Sequence, residues 1–133
     1  MAEPMQVQVV SAERVVWSGQ SNNIIARTTD GDIGILPGHE PVLAILVPSG
    51  IEIYSVDNHR EIVAVDGGFI SVSQGRVSIL SEYARMAEDI DVPHAEKELA
   101  TAQAQLDDGD NSEETRKHFS RAQAQVRAAQ KVQ

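Results

Sequence analysis

Apolar and polar positions follow two different rules along this chain. Up to about residue 84 they alternate in short runs. Met5–Val10 sets Val7 and Val9 against Gln6 and Gln8, and Asn23–Thr28 holds Ile24, Ile25 and a closing threonine. Ile51–Val56 sets Ile51, Ile53 and Ser55 against Glu52, Tyr54 and Val56, and Glu61–Val65 and Arg76–Leu80 repeat the pattern. A period of two puts one set of side chains on each face of a strand. Turn-forming pairs lie between the runs: Ser18-Gly19, Asp30-Gly31, Ser49-Gly50, Asp57-Asn58, Gly67-Gly68 and Gln74-Gly75. Short β-branched runs separated by turns predict an antiparallel sandwich or barrel. Val56-Asp57-Asn58-His59 reads as a hairpin tip. Asp66-Gly67-Gly68, between apolar runs, predicts a bulge or a close approach of neighbouring backbone.

After Ile90 the period becomes helical. Asp91 is placed to cap a helix, with Pro93 in its first turn, and Ile90 and Ala95 can close across the cap as a small hydrophobic staple. Ala95, Leu99, Ala102 and Leu106 then recur on one face. Asp107-Asp108-Gly109-Asp110 interrupts the pattern, and Asn111 with Glu114 resembles a capping box for a second helix. There Phe119, Ala122, Val126 and Ala129 form the stripe, and Lys117, Arg121, Arg127 and Lys131 lie in the middle and later turns. The fold class expected is α+β: a β-sandwich over 1–84, a linker over 85–90 and an antiparallel two-helix hairpin over 91–133. A stripe this rich in alanine buries little area, at roughly 25 cal/mol per Å², so the hairpin needs a surface to dock on. A permanently docked appendage and a detachable element with several resting places both fit.

The segment Asp30 to Pro41 combines both kinds of punctuation. Thr29-Asp30-Gly31-Asp32 predicts a tight turn, Ile33–Leu36 a short strand, and Pro37-Gly38-His39 a second turn. Pro41 keeps Glu40 out of helix. The product is a stiff exposed corner carrying Asp30, Asp32, His39 and Glu40; an ordinary β-hairpin corner accounts for the same spacing.

Composition narrows the function by exclusion. The 133 residues contain no cysteine, so disulfides and thiolate metal sites are absent. The formal charge of −9 argues against nucleic acid and anionic lipid as partners. No apolar run approaches the ~18 residues of a membrane span. Met1–Met5 shows no signal-peptide pattern, which predicts a cytosolic protein or one held at a membrane only through partners. His39, His59, His94 and His118 are spread over a turn, a hairpin tip and two helices without zinc-site spacing. Asp107, Asp108 and Asp110 resemble part of a calcium loop but lack its distal glutamate, which favours a solvated connector. There is no nucleophile elbow, no phosphate-cradling glycine loop and no catalytic constellation. No catalytic residue, metal ligand or cofactor is expected.

Several segments together resemble one family. Ser11-Ala12-Glu13 with Trp17-Ser18-Gly19, the run Gly31–Leu43, Asp66-Gly67-Gly68-Phe69, Val77-Ser78-Ile79-Leu80 and Ile90-Asp91 are similar to the corresponding segments of the epsilon subunit of bacterial-type F-type ATP synthases. The resemblance spans nearly the whole chain, and the Gly31–Leu43 loop is its most specific part. It implies a non-catalytic rotor subunit of the central stalk in a proton-translocating synthase. Such a subunit is peripheral at the cytoplasmic face of the cell membrane and couples the c-ring to gamma. The corner bearing Asp30, Gly31, Asp32, His39 and Glu40 would face the c-ring. Ser49-Gly50, Gly67-Gly68 and Phe69 are candidates for the gamma face, where ordinary turns would serve equally. The hairpin would either lie against the sandwich or extend along gamma toward the alpha and beta subunits. There Lys117, Arg121, Arg127 and Lys131 would meet acidic surfaces and inhibit ATP hydrolysis; solvated helix faces with dipole-matching charge would carry the same residues.

Some members of this family bind ATP at the start of the first helix. The matching positions here are Ile90, Asp91, His94 and Ala95. His94 stands in place of an arginine, and an imidazole cannot supply a permanently charged fork to phosphate, so weak or no ATP binding is expected. The competing readings are a free-standing ligand-binding β-sandwich with a helical lid, which an aromatic content of 4% disfavours, and an unrecognised small hydrolase.

Overall fold

The computed structural model describes residues 3–132. Nine strands precede the helices: β1 (Met5–Val10), β2 (Val15–Thr28), β3 (Gly31–Ile35), β4 (Val42–Ile45), β5 (Ser49–Ser55), β6 (Arg60–Val65), β7 (Phe69–Ser73), β8 (Arg76–Leu80) and β9 (Ala84–Met86). A 3-10 turn (Ala87–Asp89) leads into α1 (Val92–Asp107) and α2 (Glu113–Val132). The strands follow one hydrogen-bonded path, β4-β7-β8-β1-β2-β5-β6-β9, with β3 paired to β2. Backbone contacts between the end of β2 and residues 45–47 draw the path back on itself, among them the bridge Thr28–Leu46 and Thr29 N to Ile45 O at 3.0 Å. The result is a sandwich with two packed helices after it.

The inward residues of the alternating runs make the core. Val9, Ile24, Ile35, Ile51, Ile53, Val63, Val65, Ile70 and Ile79 are fully buried, each contributing roughly 1.5–3 kcal/mol by leaving water. β2 is long because it serves several partners, and its ladder shifts register between Ser21 and Asn23. The buried Ser21 hydroxyl absorbs that irregularity, donating to Tyr54 O at 2.7 Å and accepting from Asn23 N at 3.1 Å.

Three local expectations are corrected. Ser18-Gly19 and Ser49-Gly50 are not turns but lie inside β2 and β5. Their glycines make room instead: a Cβ on Gly19 would sit 2.9 Å from the Trp17 ring, and one on Gly50 only 2.7 Å from Ala128 Cα. The sheet is mixed rather than wholly antiparallel, because β1 and β8 run parallel; alternation carries no information on strand direction. The capping box at Asn111 and Glu114 is displaced by one residue. Ser112 Oγ accepts from Thr115 N at 3.2 Å, and Asp110 accepts from Ser112 N at 3.0 Å and from the Thr115 hydroxyl at 2.7 Å.

Other expectations hold. Asp91 caps α1, its Oδ1 accepting from His94 N at 3.1 Å. Gly68, at φ +96°, brings the backbone so close that a Cβ would lie 2.0 Å from Leu80 O, the approach expected at Asp66-Gly67-Gly68. α1 and α2 pack together, burying Ala102, Ala122 and Ala129, and α2 also packs on β5 and β6. This second contact uses a face outside the expected stripe: Ala124 and Ala128 join Ile62, Ala64, Ala87, Ile90 and Ala95 in a small cluster of their own.

Candidate interaction surfaces

The corner between β2 and β4 is built as a rigid projection. The Thr28 hydroxyl donates to Gly31 O at 2.8 Å and accepts from Asp30 N at 3.1 Å, fixing the first turn. His39 N donates to Leu36 O at 3.0 Å in the second turn. Its Nδ1 lies 2.6 Å from Glu40 O, an acceptor-only carbonyl, which places the ring proton on Nδ1. Asp30, Gly31, Asp32 and Glu40 are exposed and His39 is half-buried. Asp32 is exposed yet not free, since Arg27 Nε holds its Oδ1 at 3.0 Å. Leu36, 57% exposed, adds an apolar tip to this polar projection.

Lys117, Arg121, Arg127 and Lys131, four of the five Lys and Arg residues of α2, face the sandwich in this structure. Lys117 Nζ lies 3.2 Å from Glu82 and 3.5 Å from Glu113. Hydrogen bonding to Glu82 raises the Lys117 pKa. Arg121 pairs with Asp66 at 3.2 Å and Glu82 at 3.5 Å, and its guanidinium lies 5.6 Å from the centre of the Tyr83 ring. Burial raises the pKa of Tyr83, whose hydroxyl accepts from Gln125 Nε2 at 2.7 Å. Arg127 Nη1 donates to Pro48 O at 2.6 Å, and Lys131 Nζ reaches Glu52 at 3.5 Å. Arg60 completes the far end: it pairs with Glu52 and donates from Nη1 to Lys131 O at 2.8 Å, satisfying a carbonyl at the negative end of the helix. The acidic partners are the part that charge counting along the helix did not reveal.

At the start of α1, Ile90 and Ala95 are buried in the small cluster and the Asp91 carboxylate is engaged as the cap. His94 is exposed, with Nε2 3.7 Å from Glu98. His118 of α2 lies 2.5 Å from the same carboxylate, so two histidines that looked scattered share one partner. Among the described residues, no group of three or more His, Cys, Asp or Glu is placed to hold a metal ion.

A fourth surface was not anticipated as a unit. On the outer face of β4, β7, β8 and β1, register aligns Ile45 with Phe69, Phe69 with Leu80, and Leu80 with Val10. Val10 in turn pairs with Val15 of β2. Ile45, Phe69, Leu80 and Val15 are each about half exposed, and Leu43, one row along, is 69% exposed. The row runs into an open cleft of about 650 Å³ whose floor includes Gly67, Gly68 and Ser81 and whose far wall is Glu113, Arg116, Lys117 and Ser120 of α2. Of the residues considered for a partner face, Phe69 lies on this row, whereas Gly50 is buried beneath α2.

A sandwich with one outer face under its own hairpin, another bare and apolar, and a braced polar corner is the form of a subunit built to fit into a larger assembly. Residues 4–87 match the family described as ATP synthase, Delta/Epsilon chain, beta-sandwich domain. The chain is 45% identical to the ATP synthase epsilon chain of Cutibacterium acnes, covering 95% of this chain and 92% of that one. It is 46% identical to the epsilon chain of Nocardia farcinica, covering 96% and 92%. A chain in the Euglena gracilis mitochondrial ATP synthase structure (OSCP/F1/c-ring) has the same fold, with TM-score 0.76 and 23% identity over 97% of this chain and 81% of that one. A chain in the Tetrahymena thermophila mitochondrial ATP synthase central stalk and c-ring structure is more distant, with TM-score 0.56 and 16% identity over 98% and 97%. The protein belongs to the ATP synthase epsilon chain family and is a non-catalytic subunit.

Proposed function

We propose that this chain works in the central stalk of a proton-translocating ATP synthase, peripheral at the cytoplasmic face of the cell membrane, coupling the c-ring to gamma and restraining ATP hydrolysis through its hairpin. The observation that carries the coupling role is the bare apolar row Ile45–Phe69–Leu80–Val10. A contiguous row of large apolar side chains left in water marks a surface meant to be covered, and we assign it to gamma. The corner bearing Asp30, Gly31, Asp32, His39 and Glu40 is assigned to the c-ring. Its exposed carboxylates suit basic loops and would orient the encounter more than tighten it.

The braking role is supported by how the hairpin is held. Its contact with β5 and β6 is built mainly from alanines, with Ile62, Ile90 and Val126 as the sizeable apolar side chains, one close glycine and ion pairs, so release costs only a modest apolar burial. Released, Lys117, Arg121, Arg127 and Lys131 become available to acidic surfaces of alpha and beta. ATP is not expected to act as a ligand at Ile90, Asp91, His94 and Ala95. The Asp91 carboxylate already caps α1, and Glu98 beside His94 opposes phosphate. Truncation after Asp89 in the reconstituted complex tests the brake: ATP hydrolysis should rise while the sandwich remains bound. Unchanged hydrolysis would overturn the braking role, and loss of the truncated chain from the complex would overturn the assignment of binding to the sandwich.

A further inference from the structure

We propose that Glu52, Asp66 and Glu82 form an acidic counterpart within the sandwich that competes with acidic surfaces of other subunits for the same cations of α2. This rests on the braking reading above. Each of the three carboxylates accepts from the last helix across a long span of sequence, and together they engage Lys117, Arg121 and Lys131. The carboxylate side chains of Glu52 and Asp66 are only 11% and 10% exposed. Each also has a partner on its own side: Arg60 for Glu52, and the Ser81 hydroxyl and Tyr83 N for Asp66. The sandwich thus keeps these carboxylates satisfied and in place after α2 leaves, ready to recapture it.

The apolar part of the contact is small. Ala124 and Ala128 rest on Gly50, Ile62 and Ala64, and the helix approaches as closely as the glycine permits. Ion pairs therefore carry a large share of the docking, and those at Glu82, exposed on both sides, weaken most as the screening length shortens from about 10 Å at 0.1 M salt to 3 Å at 1 M, while those at Glu52 and Asp66 weaken less. Two consequences follow. Salt loosens the docked hairpin, opposite to its effect on an apolar contact. Weakening the sandwich carboxylates favours the braking position, because the cations that act outside remain intact.

The test uses the full chain, whose lack of cysteine allows spin labels at Ser73→Cys and Gln130→Cys. The fraction of molecules at a label-to-label distance longer than that of the docked hairpin should grow severalfold when NaCl is raised from about 0.05 M to about 0.5 M. Glu82→Gln, at an exposed carboxylate, should produce the same shift at low salt, and adding Glu52→Gln and Asp66→Asn should extend it. A distance distribution unmoved by salt and by all three changes would overturn the proposal, as would tightening with salt. In the reconstituted complex Glu82→Gln should lower hydrolysis about twofold or more. If truncation after Asp89 raises hydrolysis but Glu82→Gln does not lower it, the competition fails and the brake stands. If truncation changes nothing, the brake itself fails, whatever the labels report.

Discussion

The two outer faces of the sandwich are built from opposite materials. Over β5 and β6 the outward positions are Gly50, Glu52, Ile62 and Ala64, and alanines of α2 cover them. Over β4, β7 and β8 they include Leu43, Ile45, Phe69 and Leu80, which stay about half exposed or more, with no helix of the described residues over them. Small residues with charges at the rim allow close, weak and reversible packing. Large apolar residues favour lasting burial, since covering the exposed half of each would contribute about half of the roughly 1.5–3 kcal/mol that full burial gives. The face suited to a temporary cover carries the hairpin, and the face suited to a permanent partner is left bare.

That contrast can be broken most sharply at Gly50. Gly50→Leu places a side chain where Ala128 Cα already lies, and overpacking of this kind costs about 1–3 kcal/mol. The expected result is a released α2 over an intact sandwich, read as fast amide exchange in α2 with protected β-strands. On the bare face Phe69→Ser should leave the isolated chain within about 0.5 kcal/mol of its stability. It should weaken binding to gamma by about 30-fold or more, the scale of a central interface residue, as measured by calorimetry. Equal loss of stability and binding would mean that Phe69 belongs to the core rather than to an interface.

Smaller effects sharpen the same distinction. Asp66→Asn removes the charge facing Arg121 but keeps the shape, and should cost the docked state about 1–2 kcal/mol; thermal unfolding with and without residues 90–133 separates docking from sandwich stability. The smallest change is Asp110→Asn, in the connector. Ser112 N and then the Thr115 hydroxyl lower the Asp110 pKa. A carboxyl lowered in the folded state stabilises above its unfolded value of about 3.9 and loses that contribution as pH falls through the folded one. The difference in urea midpoint between wild type and Asp110→Asn should therefore be present at pH 7 and shrink as pH falls below about 3.9.

Parts of this were readable along the chain. Alternation placed β1, β6 and β8 almost to the residue, because one buried face imposes a period of two. Asp91 as cap and Pro93 behind it marked the start of α1. Val15–Gln20 does not show alternation, since Ser18 and Gly19 interrupt its pattern, whereas Phe69–Ser73 does alternate, Ile70 and Val72 inward against Ser71 and Ser73, over a run too short to stand out along the chain. Of the candidate surfaces, the corner was legible because glycine and proline act locally. The basic residues of α2 were legible as charges, but not their partners, which lie 35 residues away for Lys117 and 55 for Arg121.

The sequence by itself determined what local sterics and periodicity control: the strands with a clean inward set, the turns at Asp30-Gly31 and Asp57-Asn58, the helix starting at Asp91 and the negative overall charge. Only the tertiary structure decided that β1 runs parallel to β8, that Gly50 lies beneath Ala128, and that Val10, Ile45, Phe69 and Leu80 stand in one row. Strand order and register bring together residues separated by unrelated intervals, and no period along a single strand records its neighbour across the sheet.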